Sequence, residues 1–301
     1  MMKAVRILYL FVAIAWSLVG CSQTSGGSEE DWLPLTNEPS RQDLLRSSMG
    51  LEALSVPRGF RFPEDTLNLS GSRTFGIDIS HYSPSNLPFA KFASKNILYV
   101  YIKATQGTAF KDPKFKDFWS AIGKLPANQK VARGAYHFLS ASDDAAKQAD
   151  RFVAYVNLQG GFKTDDLAPV MDLEWNKASA SGKDQWAAKT PSQIVSAALA
   201  FLERVEALTG RVPMMYTSKA WWRERRIADS EIARFSRYKL WIADYSTATR
   251  DSENPHGPDN VIPNLWQFSD QSKITGGPAA TQDADVFRGT RAEFLREFSG
   301  H

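Results

Sequence analysis

Two acidic residues separated by one position are the pair in this chain best suited to chemistry. Asp172 and Glu174 close an apolar run that begins near Ala168. Residues two apart on a β-strand point the same way, with Cα atoms about 6.5 Å apart, so both carboxyl groups enter one space. Because facing carboxylates do not both ionise freely, one pKa should rise and its owner can donate a proton near neutral pH. Hydrolysis of a glycosidic bond needs such an acid beside an anion or base.

Polar side chains also stand at the ends of the other predicted strands. In a parallel barrel, function collects at the carboxyl ends of the strands, so polar groups at successive strand ends indicate one shared site. The acid pair is therefore interpreted as catalytic rather than structural. The further polar residues at these ends are Asp78, His81, Lys103, Tyr136, His137, Tyr216, Asp244, Tyr245, Trp266, Gln267, Asp283 and Asp285.

Short β-branched or aromatic runs that alternate with helical stretches must position these groups. Strands are predicted near Phe75–Ile79, Ile97–Ala104, Val131–Phe138, Ala168–Leu173, Val212–Tyr216, Lys239–Ala243, Asn264–Gln267 and Thr281–Val286. Strands alternating with helices favour a parallel sheet, and about eight of them favour a closed barrel. The predicted fold class is α/β, an irregular TIM-like (β/α) barrel of about eight strands with fewer than eight helices. A doubly wound open sheet is the alternative, and the first strand is followed by neither phosphate-binding glycine motif, GxGxxG or GxxxxGK[ST].

The clearest helix is predicted over residues 191–209. Thr190 and Gln193 form a capping box, Pro191 occupies the first helical position and Gly210 follows the end. Thr290 and Glu293 open a last short helix in the same way, and another helix is predicted over residues 143–158.

The amino-terminal segment has the composition of an export signal. Lys3 and Arg6 precede the run Ile7–Val19, whose 13 nearly apolar residues are too few to span a bilayer, for which about 20 are needed. Gly20 and Cys21 follow, and Cys21 resembles the lipidated cysteine of a bacterial lipobox. The predicted organisation is a lipoprotein signal peptide over 1–20, a lipidated cysteine and flexible tether over 21–72, and a catalytic barrel over 73–301. An ordinary signal peptide with an incidental cysteine is the alternative.

Composition restricts the other classes of function. One cysteine cannot form an internal disulfide, and no CxxC or HExxH spacing suggests zinc, so no metal and no cofactor are expected. The formal net charge of +3 falls further without Lys3 and Arg6, which leaves no field that would attract nucleic acid. A monomer is expected, held at a membrane by the lipid on Cys21.

Seven motifs occur in the order seen in glycoside hydrolase family 25, the Chalaropsis-type lysozymes, and the chain resembles that family from Arg73 to Ser299. The resemblance implies an irregular (β/α) barrel that cleaves the β-1,4 bond between N-acetylmuramic acid and N-acetylglucosamine in peptidoglycan. The motifs are Phe75–Tyr82, Tyr101–Gly107, Gly134–Phe138, Asp172–Glu174, Leu240–Ala243, Trp266–Phe268 and Asp283–Phe287.

The resemblance also implies roles for single residues. Glu174 resembles the general acid, and Asp172 resembles the partner that stabilises the developing positive centre or orients the substrate acetamido group. Substrate-binding roles are carried over to Asp78, Asp283, Tyr136 and Tyr216. The sequence departs from the family pattern in two places, with Gln106 where many relatives have glutamate and Asp285 where asparagine is common.

The remaining candidates are weighed against structural roles. Lys103 on a barrel strand is expected to pair with a site acid, because a buried lysine needs a charged partner. Trp175 is a candidate for stacking on sugar, Gln267 for binding substrate, and Trp241 for either packing or stacking. His81 and His137 are expected to pack or to bond a site carboxylate rather than to bind metal.

Two other functions remain open at this stage. A chitinase-like hydrolase of family 18 would carry further aspartates upstream, where this chain has Ala168 and Val170. A non-catalytic peptidoglycan-binding lipoprotein is the other alternative. The expected location is the bacterial cell envelope, lipid-anchored, at the periplasmic face of the outer membrane in a Gram-negative cell.

Overall fold

The computed structural model describes residues 56–68, 72–178 and 182–299. The predicted export signal, the predicted lipidation site Cys21 and most of the predicted tether therefore lie outside the described residues. Within these ranges, no helix combines the length and apolar character needed to cross a membrane.

Ten strands are present in the described residues. They are β1 (Arg61–Phe62), β2 (Thr74–Ile79), β3 (Tyr99–Gln106), β4 (Phe110–Lys111), β5 (Ala132–Phe138), β6 (Val170–Asp172), β7 (Met214–Ser218), β8 (Lys239–Ala243), β9 (Leu265–Ile274) and β10 (Gln282–Phe287). All eight predicted strands are confirmed, and the short strands β1 and β4 are additional.

Eight of these strands close into a barrel. Strands β2, β3, β5, β6, β7, β8 and β9 pair in that order, each parallel to the next. Strand β10 closes the ring and runs antiparallel to both β9 and β2. The predicted fold class is confirmed, with one strand reversed relative to a regular (β/α) barrel.

Helices cover the outside of the barrel. The α-helices are α1 (Phe115–Gly123), α2 (Ala145–Leu158), α3 (Pro191–Thr209), α4 (Lys219–Glu224), α5 (Thr247–Ser252) and α6 (Arg291–Phe298). Short 3₁₀ helices span Glu64–Asn68, Phe89–Lys91, Ala93–Lys95, Ala127–Gln129, Gln185–Ala188, Asp229–Phe235 and Pro258–Asn260. The capping boxes predicted at Thr190 and Thr290 are both formed.

Burial of the strands on both faces explains their sequences. All residues of β3 except Gln106 are buried, as expected for a parallel strand between an interior and a helical layer. Tyr99 and Tyr101 fill the barrel interior with Trp241, whose ring centroid lies 5.1 Å from that of Tyr101. The outer faces of the strands pack against the helices in a separate, larger apolar core.

The segment before the predicted barrel also packs on it. Strand β1 pairs in parallel with the end of β9, and Val56, Phe60 and Phe62 are buried. The Phe60 ring centroid lies 5.1 Å from that of Phe268 on β9. The sequence interpretation assigns these residues to a flexible tether, and the structure corrects it. Residues 275–281 join β9 to β10 as a loop instead of a helix, and these phenylalanines cover the apolar face left there.

Candidate active site

The carboxyl ends of the parallel strands surround a cavity of about 270 Å³. Most of the side chains come from the parallel strands or from the loops that follow them, at the end of the barrel where (β/α) barrels carry their sites. The lining residues are Asp78, Ser80, Tyr82, Lys103, Tyr136, Phe138, Val170, Asp172, Glu174, Tyr216, Trp241, Tyr245, Gln267 and Asp283.

The reversed direction of β10 brings Asp283 into this cavity. Asp283 is the second residue of β10, and its backbone pairs with Asp78 near the end of β2. An antiparallel strand places its first residues where its parallel neighbours have their last. The two carboxyl groups lie within hydrogen-bonding reach of each other.

Burial raises the pKa of every carboxyl group in the cavity. The pKa of Glu174 rises to about 7 because burial outweighs the opposing attraction of Lys103. The pKa of Asp78 also rises to about 7, through burial, although a hydrogen bond from Gln267 opposes the rise. Burial raises the pKa values of Asp172 and Asp283 well above their ordinary range, and the nearest acid adds to each rise. The cluster therefore retains protons near neutral pH.

Gln267 links three elements of the site through its side-chain amide. Its Nε2 donates to Asp78 Oδ2 over 2.6 Å, and its Oε1 accepts a hydrogen bond of 2.7 Å from the Tyr216 hydroxyl. The Tyr245 hydroxyl donates to the same oxygen. The amide is only 3% exposed, so these bonds fix its orientation and, through it, the Asp78 carboxylate.

Asp172 is held differently from the other acids. It is 7% exposed and lies at the end of β6. Its Oδ1 is buried and has no hydrogen-bond partner among the described residues. A buried carboxyl oxygen without a partner is costly, and it is relieved when a ligand in the cavity supplies a donor.

Lys103 does not form the direct ion pair expected of it. Its Nζ donates to Gln106 Oε1 over 2.7 Å and lies 4.6 Å from the centroid of the Phe138 ring. Among the described residues, no carboxylate lies within ion-pair distance of it. The structural reason is that Gln106, three residues further along β3, places its amide oxygen beside the ammonium group. Burial lowers the pKa of Lys103, and the attraction of Asp172 opposes the fall.

Trp175 and the two histidines lie outside the cavity lining. The Trp175 indole donates to Glu224 over 2.6 Å, and Trp175 does not line the cavity. His137 is fully buried between Thr105 and Gln148, and burial lowers its pKa to about 3. His81 lies 2.8 Å from Asp112, a buried carboxylate that does not line the cavity. Within the described ranges, no cluster of three ligating side chains has metal-site geometry.

Asp285 lies one layer deeper in the barrel than Asp283. It is fully buried and accepts a hydrogen bond of 3.1 Å from Trp241 Nε1. Burial raises its pKa well above the ordinary range, and its hydrogen bond holds the Trp241 indole in place.

Tyr82 and Phe138 line the cavity but are not among the site residues predicted from the sequence. Phe138 is the residue after His137 in the third-strand motif, and Tyr82 follows His81 in the first. A prediction that selects only the polar residues at the strand ends does not include the aromatic residues beside them. Their position directly after a polar strand end is the pattern that identifies them.

Comparisons with known proteins give consistent matches. Residues 77–277 match the sequence profile of glycosyl hydrolases family 25. The chain is 37% identical over 149 residues to an N,O-diacetylmuramidase of Arthroderma benhamiae, covering 49% of this chain and 58% of that protein, which is less than two thirds of its length. It is 30% identical over 238 residues to lysozyme M1 of Streptomyces globisporus, covering 77% of this chain and 72% of that protein. The crystal structure of a lysozyme from Streptomyces coelicolor matches with a TM-score of 0.61 and 28% identity, over 75% of this chain and 96% of that one.

Proposed function

Because the chain belongs to glycosyl hydrolases family 25, we propose that it is a lysozyme-type hydrolase of peptidoglycan. It cleaves the β-1,4 bond between N-acetylmuramic acid and N-acetylglucosamine. The single observation that supports this most is the cavity in which Asp78, Asp172, Glu174 and Asp283 are buried together with raised pKa values. Relatives named as muramidase and lysozyme support the choice of substrate.

Glu174 is the proposed general acid. With a pKa of about 7 it holds a proton near neutral pH and passes it to the glycosidic oxygen as the bond from C1 of the muramic acid unit breaks. Asp172 stabilises the positive charge that develops at C1 or orients the acetamido group. Water then adds at C1, and its proton returns to the carboxyl pair, which restores the starting state.

The remaining cavity residues bind and orient the substrate in this proposal. Asp78 is fixed by Gln267, which is itself fixed by Tyr216 and Tyr245. Such a chain of hydrogen bonds holds a carboxylate in position without further adjustment during the reaction. Tyr136 and Asp283 complete the wall from β5 and β10.

Digestion of purified peptidoglycan tests this function. The chain from Ser22 onward and its Glu174→Gln variant are incubated with wall material, and the products are reduced with borohydride and analysed by mass spectrometry. Muropeptides that end in reduced N-acetylmuramic acid, absent with the variant, are the expected result. Reduced N-acetylglucosamine ends would mean that another glycosidic bond is cut. No soluble product, with the protein still sedimenting with the wall, would favour a non-catalytic binding protein.

We also propose that Cys21 carries a lipid that tethers the enzyme at the cell envelope, at the periplasmic face of the outer membrane in a Gram-negative cell. The support is the sequence before Cys21, a basic start followed by 13 nearly apolar residues. Labelled palmitate should enter the full-length protein and not its Cys21→Ala variant. Equal labelling of both would contradict the anchor.

A further inference from the structure

Three aromatic rings form a small platform at the rim of the cavity. Tyr82, His81 and Phe110 belong to it, and Tyr82 also lines the cavity. Tyr82 is 86% exposed, the highest value among the exposed large hydrophobic side chains of the described residues. Its ring centroid lies 4.0 Å from that of His81, and the Phe110 ring centroid lies 5.3 Å from that of His81. We call these three residues the rim platform.

A buried carboxylate anchors the rim platform. Asp112 is fully buried, and its Oδ2 accepts from the backbone nitrogen of His81 and lies 2.8 Å from His81 Nδ1. Its Oδ1 accepts from the backbone nitrogen of Lys114, which ties the loop after β2 to the start of α1. The turn itself is closed by a bond from Ser83 N to the Ser80 carbonyl oxygen. The exposed Tyr82 ring therefore rests on a support that is already ordered.

The size of the cavity requires binding groups outside it. Pockets that enclose a whole drug-sized ligand measure about 300–1,000 Å³, whereas this cavity measures about 270 Å³. A glycan strand is a polymer, so only the sugar units next to the broken bond fit inside. The neighbouring units must run across the rim, where Tyr82 presents an open aromatic face.

We propose that the rim platform is a carbohydrate subsite, in which the Tyr82 ring stacks on the apolar face of a sugar unit beyond those held in the cavity. This subsite rests on the proposed hydrolysis of peptidoglycan glycan. It gives preference to longer glycan chains, because short ones do not reach the platform. Pre-ordering by Asp112 keeps the entropic cost of forming the contact small.

Calorimetric binding of soluble, uncrosslinked glycan oligomers tests the subsite. The binding host is the Glu174→Gln protein, which retains the cavity without cleaving the ligand, and a tetrasaccharide is compared with an octasaccharide. Tyr82→Ala should weaken octasaccharide binding by about three- to tenfold, the range that one aromatic contact supplies. Tetrasaccharide binding should change less. Tyr82→Phe should restore the octasaccharide affinity because it keeps the ring.

The matched control is Leu158→Ala at the end of α2, which removes another highly exposed apolar side chain, 73% exposed and outside the cavity lining. It should leave both affinities unchanged. Equal loss for the two oligomers, no effect of Tyr82→Ala, or no binding of either oligomer by the Glu174→Gln host would overturn the subsite. The proposed function is judged separately by cleavage with the unmodified enzyme, so the two failures are distinguishable.

Discussion

Buried acids in the cavity determine the chemistry at the scale of single residues. Asp78, Asp172, Glu174 and Asp283 all have raised pKa values because burial removes the water that would solvate their charges. Lys103 opposes this for Asp172 and Glu174 without forming an ion pair with either. The result is a pair that can keep one proton and one negative charge, which is what acid-assisted glycoside hydrolysis requires.

Removal of the proposed proton donor, Glu174, should nearly abolish turnover. In Glu174→Gln the amide keeps the shape of the side chain but cannot protonate the glycosidic oxygen. Because general acid catalysis contributes about 10²–10⁴-fold, kcat on soluble glycan should fall within that range while binding persists. Reducing-sugar assays measure the rate. If the variant retained more than a tenth of wild-type kcat, a group other than Glu174 would be the proton donor.

The neutral amide beside Lys103 should set the pH range of activity. In the proposed mechanism activity needs protonated Glu174, whose pKa is about 7, so the rate should fall as pH rises through 7. Gln106→Glu would place a carboxylate beside the ammonium group, cancel its attraction and raise the pKa of Glu174. The alkaline limb of kcat/KM should then move up by roughly 0.5–1 pH unit. The other charged groups that act on Asp172 and Glu174 are Asp78, Asp283 and Asp184.

The control for this shift is Gln129→Glu, which makes the same charge change just before β5, at the opposite end of the barrel. Its pH profile should match the wild type. An unchanged or acid-shifted limb in Gln106→Glu would show that Lys103 does not act on the acid pair through its charge.

The sequence predicts which way a side chain points where spacing along a strand determines it. Alternation along a strand brings Asp172 and Glu174 to the same space, and both line the cavity. It does not determine the rotamer of a long side chain, so Lys103 is expected at an acid and is found at Gln106. Trp175 is expected to stack on sugar, and its indole donates to Glu224 instead.

Strand direction is the main feature that sequence periodicity leaves undetermined at the scale of elements. All eight barrel strands are identified from composition, since apolar β-branched runs mark them. The reversal of β10 has a cue in loop length, because residues 275–281 are too few for a parallel crossover of a dozen or more residues. That reversal places Asp283 opposite Asp78. The topology therefore follows from a chain-length argument rather than from residue types.

Strand β1 and the residues before it should contribute to the stability of the barrel. The Phe60 side chain is fully buried against Phe62, Phe75 and Phe268. Phe60→Ala would leave a cavity there and should lower the free energy of unfolding by about 3–5 kcal/mol, measured by urea denaturation. Ile262→Ala, at a side chain that is 62% exposed, is the control and should cost little. A decrease in the free energy of unfolding below 1 kcal/mol would indicate that this segment belongs to the tether and does not stabilise the barrel.

At the scale of the whole molecule, the acid cluster should reduce stability in return for activity. The pKa of Glu174 in the folded protein is about 7, above its ordinary value of 4.5. The stability from this group is therefore present below pH 4.5 and lost as pH rises through 7. Glu174→Gln carries no charge to bury, so above pH 7 it should be more stable than the wild type by roughly 1–3 kcal/mol.

Thermal unfolding between pH 4 and 8 measures this difference. At about 2–4 °C per kcal/mol for a domain of this size, the melting temperature of Glu174→Gln should exceed that of the wild type by roughly 2–12 °C at pH 8 and converge with it near pH 4. Glu203→Gln, an exposed position on α3, makes the same charge change and should show no such gap. A difference in melting temperature of the same size at every pH would mean that packing, rather than charge, causes the stabilisation. Growth of the gap with pH would show that the buried acid itself limits stability, and that the protein retains it for its chemistry.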